Sequence, residues 1–508
     1  MELGLFDVGA FIAFIGSVIA ISLYASRKQE SGEDYFLAGR GLTWYLIGFS
    51  LIASNISTEH FVGMAGEGYG EVGLAIASYE WIAAITMVFV ALVLLPKFLR
   101  SGIYTIPEFL EYRYDATSRA IMAFYMMAAF VVVAIATVLY SGALALNAIF
   151  GINLVVGVWL IGILAGAYTI YGGLKAVVWS DLLQGAALLI GGLIVTILGF
   201  KAIGGVDVFF AQSADKLHTL LPSDHPKMPW TIMLGGIWIP NIFYWGLNQF
   251  ITQRTLGAKS LEEGQKGVLL AAGIKLIIPF IIIFPGIMAL QLYGAEIGDN
   301  GDQAYPIMIK NILPAGLRGI MLAALFGAVM SSLDSMLNSA ATIFTIDLYK
   351  RHLKPKAAPK HLIKIGRVAT AVFVLIGCLW APMLGNFEGV YTYIQMFWGF
   401  VSPGIVAVFI FGLVVKKAPA ISASPALILT VPLYGVLTFA LKMPFLNAMG
   451  LTVIILWVVM GVITLIKPLD KPIEYPVNTE IDLKPSPVAK IWGAATVLAT
   501  VALYIIFR

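Results

Sequence analysis

Six ionisable side chains, Glu59, His60, Glu80, Asp181, Lys275 and Asp334, fall well inside long apolar runs of this chain. An unpaired charge at such depth costs about 2.5–3.5 kcal/mol on insertion scales, so each is a functional candidate. The structural alternative is pairing for helix packing, in which Lys275 simply neutralises Glu80. Two of the six lie in Ser50–Met64, where every position from Ala53 to His60 except Ile56 is small, polar or ionisable. Lipid cannot hydrogen-bond an unwound backbone, so a break of this kind is tolerated only where it lines an enclosed cavity. Near mid-membrane, freed carbonyls and helix ends bind ions and polar solutes. The passage therefore reads as a transport site.

A second constellation is Ala328-Val-Met-Ser-Ser-Leu-Asp-Ser335, where Ala328, Ser331, Ser332 and Ser335 recur at i, i+3, i+4 and i+7 and share a helix face. Neighbouring hydroxyls beside freed carbonyls make the all-oxygen environment that a hard cation such as sodium prefers. Serines in membrane helices also bond their own backbone or pack against a neighbour. Aromatic residues form a third group: Tyr79, Tyr244, Trp245, Tyr391, Tyr393 and Trp398. A flat aromatic face with carboxylate, amide and amine groups around it can hold a polyol; an interfacial aromatic belt is the other reading.

The elements that would position these groups are membrane helices. Of 508 residues, 60% are hydrophobic and 12% charged, against about a quarter charged in a typical soluble domain. Apolar runs predict fourteen spans, near 5–26, 44–65, 72–95, 120–149, 155–173, 178–200, 231–251, 267–292, 315–345, 365–384, 390–415, 420–441, 447–467 and 488–507. The first has no small-residue cleavage site and is expected to remain as a helix. With the N-terminus outside, 24 of the 32 Lys and Arg residues fall in cytoplasmic loops and 7 in outer segments, which predicts both termini outside. Arg254 counts here as a loop charge.

The net charge of +4 thus reflects topology, and no basic segment carries the interleaved aromatics of a nucleic-acid binder. Cys378 is the sole cysteine, which excludes internal disulfides and Cys-rich metal sites, and five histidines do not suggest haem or zinc chemistry. The longest polar connections, 202–230, 293–313 and 468–487, are too short for a soluble domain, and none calls for an obligate protein partner.

The second and seventh spans both look broken, the seventh at Gly235-Gly-Ile-Trp-Ile-Pro-Asn241. Five spans apart, they enter the membrane in opposite directions, the pattern of an inverted five-helix repeat with its site between the two breaks; two ordinary kinked helices are the alternative. The expected divisions are an N-terminal peripheral helix and loop (1–43), two repeats (44–215 and 216–415) and C-terminal peripheral helices (416–508).

At Tyr35-Phe-Leu-Ala-Gly39, Ser50–Met64, Ala75-Ile-Ala-Ser-Tyr-Glu-Trp81, Gly102-Ile-Tyr-Thr-Ile-Pro-Glu108, Tyr168-Thr-Ile-Tyr-Gly-Gly-Leu174, Tyr244-Trp-Gly-Leu-Asn-Gln249, Gln253-Arg-Thr255, Ser331–Tyr349 and Tyr393-Ile-Gln395 the chain resembles the sodium/solute symporter family, in particular its bacterial sugar-transporting members. The resemblance covers essentially the whole chain and implies an all-α polytopic membrane protein with a LeuT-like inverted five-helix repeat, importing a monosaccharide with sodium across the inner membrane. Carried over, the sodium ligands would be the carbonyls of Ala53, Ile56 and Ala328 and the hydroxyls of Ser331 and Ser332. The sugar would meet Asn55, His60, Glu80, Asn241, Lys275 and Gln395 and stack on Tyr244, the inner gate, with Trp245 beside it. Met64, Tyr79 and Tyr391 would form the outer gate.

The chain departs from the galactose-transporting pattern at four places: His60 stands for Gln, Ala83 for Ser, Asp334 for Ala and Tyr391 for Phe. Losing one polar contact can alter selectivity by an order of magnitude or more. Asp334 with Ser335 and Asp181 suggests a second cation site; a proton-carrying or hydrogen-bonded Asp334 is the alternative. Rival functions are symport of another polyol such as myo-inositol, proton coupling through Asp181 and Asp334, and a membrane sugar sensor. No nucleophile–base pair marks an enzyme.

Overall fold

A computed structural model describes residues 4–25, 32–225, 227–386 and 390–508, and every regular element among them is helical. Eleven helices there are long and apolar enough to cross a membrane. The expected count of fourteen is not reached by that measure, because three of the expected spans are not uninterrupted apolar helices. Those at 44–65 and 231–251 are broken in mid-course, and the apolar stretch of the span expected at 155–173 is only Leu154–Ala167. The last is the first arm of a segment, Leu154–Ile203, in which two helices meet at a kink at Gly173, with φ 53° and ψ −158°. Glycine is required there twice over: it tolerates positive φ, and an added Cβ would lie 2.5 Å from the Tyr35 carbonyl oxygen.

The first broken helix runs Trp44–Asn55, then Ile56 is extended at φ −77° and ψ 109°. The chain resumes helically in a wide turn over Glu59–Met64 and continues through Ala65–Tyr69. The second runs Trp238–Ile242 and Phe243–Leu247, breaks at extended Asn248 (φ −87°, ψ 120°), and resumes as Gln249–Leu256. This corrects the expected position of the second break. Pro240 is the third residue of its helix, where the amide it lacks would have had no intrahelical partner. Gly235 and Gly236 lie just before that helix, so glycine and proline mark its start and not its interruption.

The serine-bearing helix Leu317–Ile343 packs extensively on Leu154–Ile203, and Leu261–Ile297 packs on Trp44–Asn55. The core sits along the serine helix. Along its apolar stretch 83% of the residues are buried, against 17% in the N-terminal helix, which is mostly exposed. The second half of the first broken helix is pressed against Leu261–Ile297, where a Cβ on Gly286 would come 2.1 Å from the Ala65 carbonyl oxygen. Small residues at such crossings let backbones approach closely without a hydrophobic driving force.

Candidate functional site

The first break frees two specific carbonyls. In an unbroken helix the amides of Ser57 and His60 would donate to Ala53 O and Ile56 O. Instead Ser57 N donates to His60 Nδ1 at 3.5 Å and His60 N to Ser57 O at 3.0 Å. The serine helix meets this break directly: Ser332 donates its hydroxyl to the Ser54 carbonyl at 3.3 Å. Ala53, Ile56, Ala328, Ser331 and Ser332 are all buried.

Beside the break lies a cavity of about 170 Å³ lined by both broken helices. That is below the roughly 300–1,000 Å³ of sites for drug-sized ligands and suits a smaller solute. Asn55, His60, Glu80, Asn241, Tyr244 and Lys275 all line it, as do Met64, Tyr79 and Trp245. Six of the seven expected solute-binding residues and three of the four expected gate residues therefore come together. Gln395 and Tyr391 belong to the helix Val390–Gly399, but their side chains lie outside the described residues.

The two broken helices are tied across the cavity, since Asn55 Nδ2 donates to Tyr244 Oη at 3.0 Å. Fully buried Lys275 pairs with Glu80 at 2.5 Å, also donates to Asn55 Oδ1, and lies 5.0 Å over the Trp245 ring. His60 Nε2 is 3.5 Å from the other Glu80 oxygen. A ligand hydroxyl would thus meet a pre-formed carboxylate–ammonium–amide set whose charges are already balanced.

Arg254, counted from the sequence as a loop charge, is fully buried. From the resumed second helix its guanidinium reaches Asp181 at 3.1 Å, Ser50 at 2.5 Å, and the hydroxyls of Ser54 and Ser335. Asp181 also accepts from Ser50 and Ser331. Asp334 stands apart from this cluster: its Oδ1 accepts from Thr169 at 2.8 Å and its buried Oδ2 has no partner. The three residues expected to form a second cation site thus do not share one centre. Asp181 and Ser335 surround a resident cation, and Asp334 faces Thr169. The only sequence signal for Arg254 was its place in the Gln253-Arg-Thr255 motif.

A profile of the Sodium:solute symporter family matches residues 35–429. The chain belongs to that family. It is 42% identical over 490 residues to a sodium/glucose cotransporter of Vibrio parahaemolyticus, with 90% of each chain covered. It is 33% identical over 452 residues to sodium/myo-inositol cotransporter 2 of Bos taurus, covering 81% of this chain and 66% of the relative. A substrate-bound, outward-open sialic acid symporter coupled to sodium shares the fold, with TM-score 0.83 and 23% identity over 93% of this chain and 100% of the other. This family member is accordingly a multi-pass membrane transporter and not an enzyme, and its family implies sodium as the co-transported ion.

Proposed function

We propose that this symporter imports a neutral monosaccharide of the glucose or galactose kind together with sodium, by alternating access, across the inner membrane. The arrangement is LeuT-like, with inverted repeats at 44–215 and 216–415, peripheral segments at 1–43 and 416–508, fourteen crossings and both termini outside. The observation that carries the reading is the first break, where the unpaired carbonyls of Ala53 and Ile56 lie next to Ser332 on one side and the polar cavity on the other. Sodium would be held by those carbonyls, by Ala328 O and by the hydroxyls of Ser331 and Ser332. The solute would be held by Asn55, His60, Glu80, Asn241, Lys275 and Gln395, stacked on Tyr244. Met64, Tyr79 and Tyr391 close over it on the outer side and Trp245 lies on the inner.

Sodium entering down its gradient carries about 2.3 kcal/mol per charge for each 100 mV of potential. Its binding ties the break to the serine helix and fixes Asn55 and His60, so each ligand favours the state the other needs. A second cation at Asp181 and Ser335 would have to displace the Arg254 guanidinium, so the proposed coupling is one sodium per solute. Another polyol, myo-inositol included, is the second reading; His60 and Ala83 in place of Gln and Ser, and the myo-inositol cotransporter relative, favour it.

The test is uptake of radiolabelled glucose and galactose into proteoliposomes, with and without an inward sodium gradient, competed with unlabelled sugars and myo-inositol. Sodium-dependent accumulation supports symport, and the competition order gives the solute. Accumulation of none of the three would overturn the reading, and equal flux without sodium would point to proton coupling.

A further inference from the structure

The segment Lys350–Arg367 carries seven of the 32 Lys and Arg residues, and no acidic residue occurs between Asp347 and Glu388. Other basic connections interleave acids, as Lys259–Lys266 does with Glu262 and Glu263. The preference for basic residues on the cytoplasmic side accounts for the lysines but not for the missing acids. The fold brings no spare counter-charge either. Glu111 is taken by Arg351 at 2.7 Å and Asp347 by Arg119 at 2.7 Å. Lys350, Lys354, Lys356, Lys360 and Lys364 are exposed, and among the described residues none of them has an ion pair or a side-chain hydrogen bond.

The chain turns tightly at this corner. Phe344–Leu353 ends the serine-bearing element, and Lys354 N donates back to Tyr349 O at 3.0 Å. The next helix, Pro359–Trp380, begins with His361 Nε2 2.8 Å from Tyr349 Oη. On it Lys360 and Lys364 start a stripe continued by Val368, Val372, Leu375 and Leu379, at spacings of three or four residues. All six are exposed, so in a membrane the apolar part of the stripe meets lipid tails. At 1.5 Å per residue Lys364 lies about 6 Å beyond Val368, and Lys360 about 6 Å further. That is where long basic side chains reach the headgroup layer. Lys354 and Lys356, in the turn just before the helix, add two more ammonium groups.

We propose that this corner binds an anionic phospholipid, with its tails along Val368–Leu379 and its phosphate held by Lys360, Lys364 and the turn lysines Lys354 and Lys356. A soluble polyanion would use the lysines and leave the apolar stripe bare. A zwitterionic lipid would use the stripe but bring its own cation to the lysines. An anionic lipid uses both, and juxtamembrane basic clusters of this size attract such headgroups. The inference needs only that Pro359–Trp380 faces lipid, and it holds whichever solute is carried.

The test is binding of dansyl-labelled phosphatidylglycerol to the purified full chain in detergent, read by energy transfer from the protein's tryptophans. The probe is displaced with unlabelled phosphatidylglycerol, phosphatidylcholine of the same chain length, or inorganic phosphate. Phosphatidylglycerol should displace it at a concentration about tenfold or more below that of phosphatidylcholine, and inorganic phosphate should not displace it. Changing Lys354, Lys356, Lys360 and Lys364 together to Gln should shrink that preference to about threefold or less, with an unchanged melting temperature in detergent alone. Changing Lys467, Lys471, Lys484 and Lys490 to Gln removes the same charge from the acid-bearing C-terminal connection and should leave the preference intact. Equal displacement by the two lipids, or an unaltered preference in the first variant, would overturn the proposal. So would an equal loss in the second variant, which would mean diffuse attraction, or displacement by inorganic phosphate, which would mean a site for a soluble anion.

Discussion

Arg254 and Asp181 offer the sharpest stability test. Both are fully buried, and the guanidinium joins four elements: Ser50 and Ser54 of the first broken helix, Asp181 of the Leu154–Ile203 helix, Ser335 of the serine helix, and its own segment through Phe250 O. Arg254→Met removes the cation and leaves the Asp181 carboxyl buried among hydroxyls, which satisfy its oxygens but supply no counter-charge. Removing one partner of a buried pair costs about 3–5 kcal/mol, mostly because the other charge is stranded. Asp181→Leu strands the guanidinium in the same way. The double variant strands neither, so its cost should fall short of the sum of the singles by about 2 kcal/mol or more. The assay is reversible denaturant unfolding of the detergent-solubilised protein, followed by tryptophan fluorescence in sodium-free buffer. Single variants that each lose less than about 1 kcal/mol, with effects additive to within about 0.5 kcal/mol, would refute the reasoning.

Three other outcomes follow from the same geometry. Tyr244→Phe deletes the hydroxyl that accepts from Asn55 and should cost about 1 kcal/mol, seen as a fivefold or so weaker apparent solute affinity in uptake. Gly286→Ala drives a methyl toward the Ala65 carbonyl and should destabilise by about 1–3 kcal/mol while lowering sodium-driven uptake; an unchanged melting temperature would contradict the tight crossing. Glu111 lies in the short helix Ile106–Arg113, where burial raises its pKa but hydrogen bonds from Arg351 and Arg119 outweigh burial and hold the carboxyl below its ordinary range. Its stabilising contribution is therefore fully present above the ordinary glutamate pKa of about 4.3 and lost as pH falls through the lower folded value. Glu111→Gln should cost under about 1 kcal/mol at pH 7, and melting curves should show that difference vanishing only in strong acid.

Much of the site was legible along the chain because the membrane makes polar residues conspicuous. A broken span stands out where every unpaired amide costs free energy, and Ala53–His60 fell on the observed break. The second break was misplaced because proline and glycine end a helix and begin one equally well. The residue at the actual break, Asn248, carries no strong local signal. Arg254 was misread for a related reason. Near a span's end a basic residue is ordinarily a loop charge, and only the fold shows a carboxylate on another helix waiting for it.

Sequence by itself determined that the chain is helical, apolar and built around a polar interruption, since those properties follow from residue type and local periodicity. It also determined which side chains were too polar for lipid. Which of them meet was decided only in three dimensions. Lys275 and Glu80 are 195 positions apart, Asp181 and Ser331 are 150 apart, and Asp334 turned to Thr169 although it is three residues from Ser331. Charge pairing acts over a few ångströms, and helix packing, which brings distant segments within that range, is set by the shapes of whole helix faces.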